Sequence, residues 1–172
     1  FYFQNYAKTV AVWGANEKVA PFINAGWQDT VGIDLYWYAD TDACIPSQGG
    51  RYVQEGLMVG SGPLGWGVGS PPALLPEECH RASNYGANIK RLRQLDALDG
   101  KYQPLWCFPE VTARPEQIQG AAMSCLIQGA QGMLYFNHNF GTPCTTHHAL
   151  REPCYAKQRA AVTEMNALIR EL

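Results

Sequence analysis

The sequence predicts an α/β fold in which parallel strands alternate with helices. Three observations predict it. Short runs rich in β-branched and aromatic residues recur along the chain; between them lie stretches with apolar residues at helical spacing; and Gly- and Pro-bearing segments separate the two. The resulting order, β-α-β-α-β-α-β-α, demands a parallel sheet, because strands joined through helices return in the same direction.

The elements follow in turn. FYFQNY (1–6) reads as the first strand, and residues 16–23 as a short helix interrupted by Pro21. DTVGIDLYWYAD (29–40) is the second strand. A Gly- and Pro-rich loop of about thirty residues comes next, far longer than an ordinary connection and therefore expected to be functional or mobile. Pro76 opens a helix whose Cys79, Ala82, Tyr85, Ile89, Leu92 and Leu95 make one apolar stripe. PLWCFPE (104–110) reads as a strand buried on both faces. Pro115 then suits a first helical position, with Ile118, Ala121, Ala122, Cys125 and Leu126 on the docked face. GMLYFNHN (132–139) is the fourth strand, and the last helix presents Val162, Met165, Leu168, Ile169 and Leu172 inward.

Parallel alternation allows an open, doubly wound sheet or a closed (β/α)8 barrel. Four units are half a barrel. A chain of 172 residues that opens on Phe1 within a strand is expected to be the C-terminal half of one, strands five to eight, forming a single domain over 1–172. Such a half leaves two strand edges and an apolar interior unpaired, so the expected partner is the missing N-terminal half of the barrel. A flavodoxin-like open sheet would leave the aromatic strand ends without a purpose.

Composition narrows the ligand. The chain is 47% hydrophobic and 16% charged, with a net charge of −2 and no basic run, which speaks against nucleic acid and anionic membranes as partners. Nine Tyr, six Phe and five Trp, many at strand ends, suit a flat-faced ligand such as a sugar. Of the six cysteines, Cys44, Cys79, Cys144 and Cys154 fall in or beside loops, which predicts the pairs Cys44–Cys79 and Cys144–Cys154 and an oxidising, extracellular or secreted setting. Cys107 and Cys125 read as buried free thiols.

No cofactor or metal is expected. GSGPLG (60–65) matches GxGxxG in letters, but it lies inside the long loop, contains Pro63 and leads to Pro71 and Pro72 instead of a helix. It reads as a lid. Cys144, His147, His148 and Cys154 have zinc-ligand side chains but not the spacing of a structural zinc site, and the disulfide uses the same sulfurs.

Glu110 closes the apolar strand 104–110 and is expected on the loop rim of the sheet, where parallel α/β folds place their chemistry. Alternation sets Trp106, Phe108 and Glu110 on one face, Leu134, Phe136 and His138 on another strand's matching face, and Asp34 with Tyr36 toward the interior. Asp34 reads equally as a substrate contact and as a buried Asp bonded to its neighbours. Asn137 and His138 are candidates for bonding sugar hydroxyls, and Tyr38 and Trp66 for stacking. Trp37, on the opposite face from Tyr36 and Tyr38, is expected in the core. Asp40 and Asp42 read as turn caps, and with Asp34 and Glu55 they are the acids available as an internal second carboxylate.

The succession DTVGIDLYWYAD, PLWCFPE, GAQGMLYFNHN resembles strands six, seven and eight of the large superfamily of retaining glycoside hydrolases built on (β/α)8 barrels. The resemblance implies Glu110 as nucleophile, Tyr36 as its hydrogen-bonding neighbour, and Phe136 as the floor of the sugar site. Two features depart from the family: the strand-eight platform is usually Trp, and the acid/base Glu of strand four would lie outside this sequence. Retaining hydrolysis needs two carboxyl groups about 5–5.5 Å apart. On this reading the chain alone is inactive and hydrolyses an oligo- or polysaccharide by double displacement when complete. The alternative is a catalytically silent carbohydrate-binding or structural barrel, at a cell or virion surface. A third class, an open-sheet cofactor-binding protein, would carry a flavin or nucleotide.

Overall fold

Parallel pairing brings together four short strands whose residues mostly favour extended backbone: β1 (Phe3–Ala7), β2 (Thr30–Asp34), β3 (Leu105–Cys107) and β4 (Gly132–Met133). The computed structural model describes residues 2–7, 28–39, 44, 74–98, 100, 102–139, 141 and 144–172. The strands lie in the order β1-β2-β3-β4, all parallel, with Phe3 opposite Thr30, Val31 opposite Leu105 and Trp106 opposite Gly132. The sequence order is preserved across the sheet. The strand reversal that marks a doubly wound sheet is absent from these four strands.

The strands are shorter than their sequence runs. The ladder of 29–40 stops at Asp34, and the backbone bends through Trp37, Tyr38 and Ala39. There the amides of Tyr38 and Ala39 bond a side chain instead of a neighbouring strand. Along 104–110 the ladder stops at Cys107. Pro109 has no amide to donate, but its carbonyl accepts from Phe136 N–H, and a parallel bridge between Glu110 and Phe136 carries the β3–β4 alignment up to the acid.

The helix expected from Pro76 forms in two pieces, α1 (Pro76–Cys79) and α2 (Ser83–Asp96). Asn84 explains the break: its side-chain amide donates to the carbonyls of Glu78 and Cys79, which a continuous helix would have used itself. On α2 the stripe Tyr85, Ile89, Leu92 and Leu95 is buried, as are Ile118, Ala121, Ala122 and Cys125 on α3 (Pro115–Ile127). Two 3-10 turns, Ala149–Arg151 and Pro153–Tyr155, lead into α4 (Ala156–Ile169). Its buried face is Ala161, Val162 and Met165; Leu168 and Leu172, expected inward, are 43% and 83% exposed. The helix segment 16–23 lies outside the described residues.

Helices pack in chain order, α2 on α3 and α3 on α4, and α2 and α3 share a core with the sheet. Val31, Ile33, Leu35 and Trp37 meet α2 in one core with Leu105, Cys107, Ala121 and Cys125. The other face carries aromatic side chains. Phe3 touches Trp106 and Phe108 at centroid distances of 5.6 and 5.8 Å. Trp106 lies over Gly132 and Phe108 over Gly32, so that a Cβ at either glycine would overlap a ring. Gly132→Ala is therefore expected to cost about 2 kcal/mol, read as a lowered urea midpoint, although alanine is the smallest possible addition.

Cysteine pairing corrects one expectation. Cys44–Cys79 and Cys144–Cys154 form, but Cys107 and Cys125 are also joined, their Cα atoms 6.2 Å apart. Alternation turns Cys107 away from Trp106 and Phe108 toward the helices, and Cys125 sits on the inner stripe of α3, so the two thiols meet inside the core. Three disulfides fit an oxidising compartment. No described helix is long and apolar enough to cross a membrane. Peptide mapping without reductant should recover all three pairs. Because Cys107–Cys125 closes a loop with a sequence separation of 18, replacing both with Ala should lower stability by about 3 kcal/mol.

Candidate active site

Glu110 reaches its position because Phe108 and Pro109 carry the chain straight on from β3, past the end of β2. It is 2% exposed. The bend at 37–39 presents two successive amides to it: Tyr38 N–H donates to Oε1 at 2.8 Å and Ala39 N–H to Oε2 at 2.7 Å. The Tyr85 hydroxyl, from α2, also donates to Oε1, and its oxygen accepts Trp37 N–H at 3.1 Å. Two donors fill Oε1, and the third, on Oε2, leaves that oxygen one lone pair.

Burial raises the Glu110 pKa, and the bonds from Tyr85 and from the backbone of Tyr38, Ala39 and Trp37 lower it; burial wins, so the net shift is upward. Burial first, and the Glu110 charge second, push Tyr85 well above its ordinary value. The same two causes push Tyr38 up to about 12. Both phenols stay neutral around the carboxylate.

Tyr36 does not bond Glu110 as expected. The bend turns backbone toward the acid, and the Tyr36 ring lies against Phe136 with centroids 4.5 Å apart. Its hydroxyl is held protonated by burial, then by Asp34, with a smaller effect from Glu110. Asp34 ends β2 beside Asn5, whose Nδ2 is 3.5 Å from Asp34 Oδ2. That favours the neighbour-bonded reading of Asp34. From Phe136 the aromatic line continues to His138 at 5.1 Å and on to His147, which stands edge-on at 5.3 Å.

Comparison with family models, with curated proteins and with solved structures finds no match. Residue geometry therefore carries the reading of the site.

Asn137 points away from the Phe136 line. Its Oδ1 accepts Leu150 N–H at 2.7 Å and its carbonyl accepts Ala149 N–H at 3.0 Å, so it holds the 3-10 turn and is not placed for a sugar hydroxyl. Trp106 packs one layer below the acid, against Phe3. Tyr38 lies on Tyr85 at 5.2 Å and, with Ala39, Glu77, His80, Thr112 and Gln117, lines a cavity of ≈ 450 Å³ on the rim beside Glu110. His80 Nδ1 lies 2.7 Å from the Trp37 carbonyl and donates to it, since that oxygen has no proton to give. Trp37 itself is fully buried, its Nε1 donating to Asn88 at 3.3 Å. Trp66, Asp40, Asp42, Glu55 and the segment 60–65 lie outside the described residues. Among the described residues no group of three His, Cys, Asp or Glu side chains is placed to hold a metal ion.

The raised Glu110 pKa links to stability with a definite sign. The folded chain holds this proton more tightly than the unfolded one, so the group's contribution is fully present below the unfolded carboxyl value of about 4.3 and is lost as pH rises through the higher folded value. Urea denaturation from pH 4 upward should show this loss in the parent. In Glu110→Gln that component should vanish, while a pH-independent penalty of about 2 kcal/mol appears because the new NH2 opposes an amide donor.

Proposed function

We propose that this chain is the second half of a (β/α)8 barrel that hydrolyses glycosidic bonds in an oligo- or polysaccharide, with Glu110 as nucleophile. The observation that carries the reading is the Glu110 carboxylate itself: buried at the C-terminal end of β3, held by three donors, with one lone pair left on Oε2. The barrel reading is supported by strands in sequential parallel order with helices packed in chain order, since right-handed crossovers then leave the opposite face to close on further strands. Tyr36, Phe136 and His138 supply an aromatic line for the sugar, with Asp34 at its side. The three disulfides suit a secreted or surface protein.

The reaction balances as a double displacement. Glu110 Oε2 forms a bond to the anomeric carbon as the glycosidic C–O bond breaks, and the leaving oxygen takes a proton from a second carboxylic acid about 5–5.5 Å away. That acid, now a carboxylate, deprotonates a water that attacks the same carbon and frees Glu110. The first half of the barrel supplies the second acid in this proposal. A sugar-binding barrel without turnover is the other reading, and the Ala39 N–H on Oε2 favours it, because attack must displace or share that bond.

A 2-deoxy-2-fluoro glycoside with a good leaving group separates the two. Trapping should add one glycosyl unit to Glu110, located by peptide mass mapping in the complete protein, and Glu110→Gln should lower turnover by a factor of about 10³ or more while sugar binding survives. Binding without a covalent adduct would select the silent barrel.

A further inference from the structure

Tyr85 occupies a position on the α2 stripe that periodicity assigns to the core, and at 1% exposure a Phe would fill it as well. Its hydroxyl is nevertheless committed at both ends. The proton goes to Glu110 Oε1 and the oxygen accepts Trp37 N–H at 3.1 Å, while the ring lies on Tyr38 at 5.2 Å. Each contact comes from a different stretch of chain, so the hydroxyl cannot rotate without breaking one of them.

Resting on the reading of Glu110 as nucleophile, we infer that Tyr85 is the positioning residue that fixes the carboxylate, holding Oε1 out of the reaction and leaving Oε2 to form the bond. The resemblance drawn from the sequence gave a neighbouring role to a strand residue, Tyr36; the geometry gives it to a helix residue two elements later. A helix anchor suits the task. The α2 helix is pinned to the sheet by Ile89, Leu92 and Leu95, so the donor is held by the core. The buried phenol stays protonated beside the acid and donates throughout.

The test is Tyr85→Phe in the complete protein, with the Glu110 carboxyl followed by carbon-13 NMR against pH and assigned by its loss in Glu110→Gln. Removing a donor to the carboxylate should raise its titration midpoint by about one pH unit, and the acidic limb of dinitrophenyl glycoside hydrolysis should move up by the same amount. KM should change less than kcat. A lower melting temperature with an unmoved midpoint would make Tyr85 purely structural and overturn the inference. Should Tyr85→Phe fail to fold, 3-fluorotyrosine at position 85 keeps the shape and strengthens the donor, so the midpoint should fall; an unmoved midpoint overturns the inference there too. Full turnover in Glu110→Gln would overturn the nucleophile reading and this role with it, whereas loss of turnover with no midpoint change in Tyr85→Phe overturns the positioning role alone.

Discussion

The Glu110 carboxylate receives bonds from the amides of Tyr38 and Ala39 and from the hydroxyl of Tyr85, and through them joins the end of β3, the bend after β2 and the helix α2. Removing a carboxylate from water costs several kcal/mol, and a hydrogen bond to a charged group returns about 1.5–3 kcal/mol. Burial outweighs the opposing bonds, so the acid is shifted upward. Much of the upper rim follows from this contact. With its amides committed to a side chain, the second strand ends at Asp34, the Trp37 carbonyl is left for His80, and Tyr36 is free to lie on Phe136.

A single group thus has two demands on it. As a clamp it must keep its bonds; as the nucleophile proposed above it would also have to offer an oxygen. The asymmetry between Oε1, which takes two donors, and Oε2, which takes one, reconciles them. Tyr85 holds Oε1 from the helix and the Tyr38 amide holds it from the bend, while Phe136, His138 and His147 form an aromatic line of their own.

The sequence made some of this legible. Alternating strand and helix patterns located the four parallel strands, and Glu110 was visible as the one acid closing an apolar run. Strand ends were not legible, because the 37–39 stretch has strand-like residues and only the distant carboxylate diverts its amides. Cys107 and Cys125 each read correctly as buried, but whether two buried thiols face one another depends on where α3 lies over β3, and no local pattern encodes that. Tyr85 was hidden by the same logic in reverse: helical spacing sees its ring and is blind to its hydroxyl. Asn137 sat next to a ring-bearing position, yet alternation already put it on the opposite side from Phe136, where it bonds Leu150.

Along one cross-strand row, Gly32, Trp106 and Gly132 stand side by side, with the indole tipped over Gly132 and the Phe108 ring over Gly32. Alternation of apolar and polar residues forbids a strand from sliding by one position, since every side chain would change faces, but a slide by two keeps all faces correct. Here a two-residue slide of either neighbour would bring Thr30 or Asp34, or Ala130 or Leu134, into the place of a glycine and drive a side chain into the rings. The glycines therefore act as a key cut for one setting. They fix how far the end of β3 rises above β2 and β4, and so set the height at which Glu110 meets the bend that holds it.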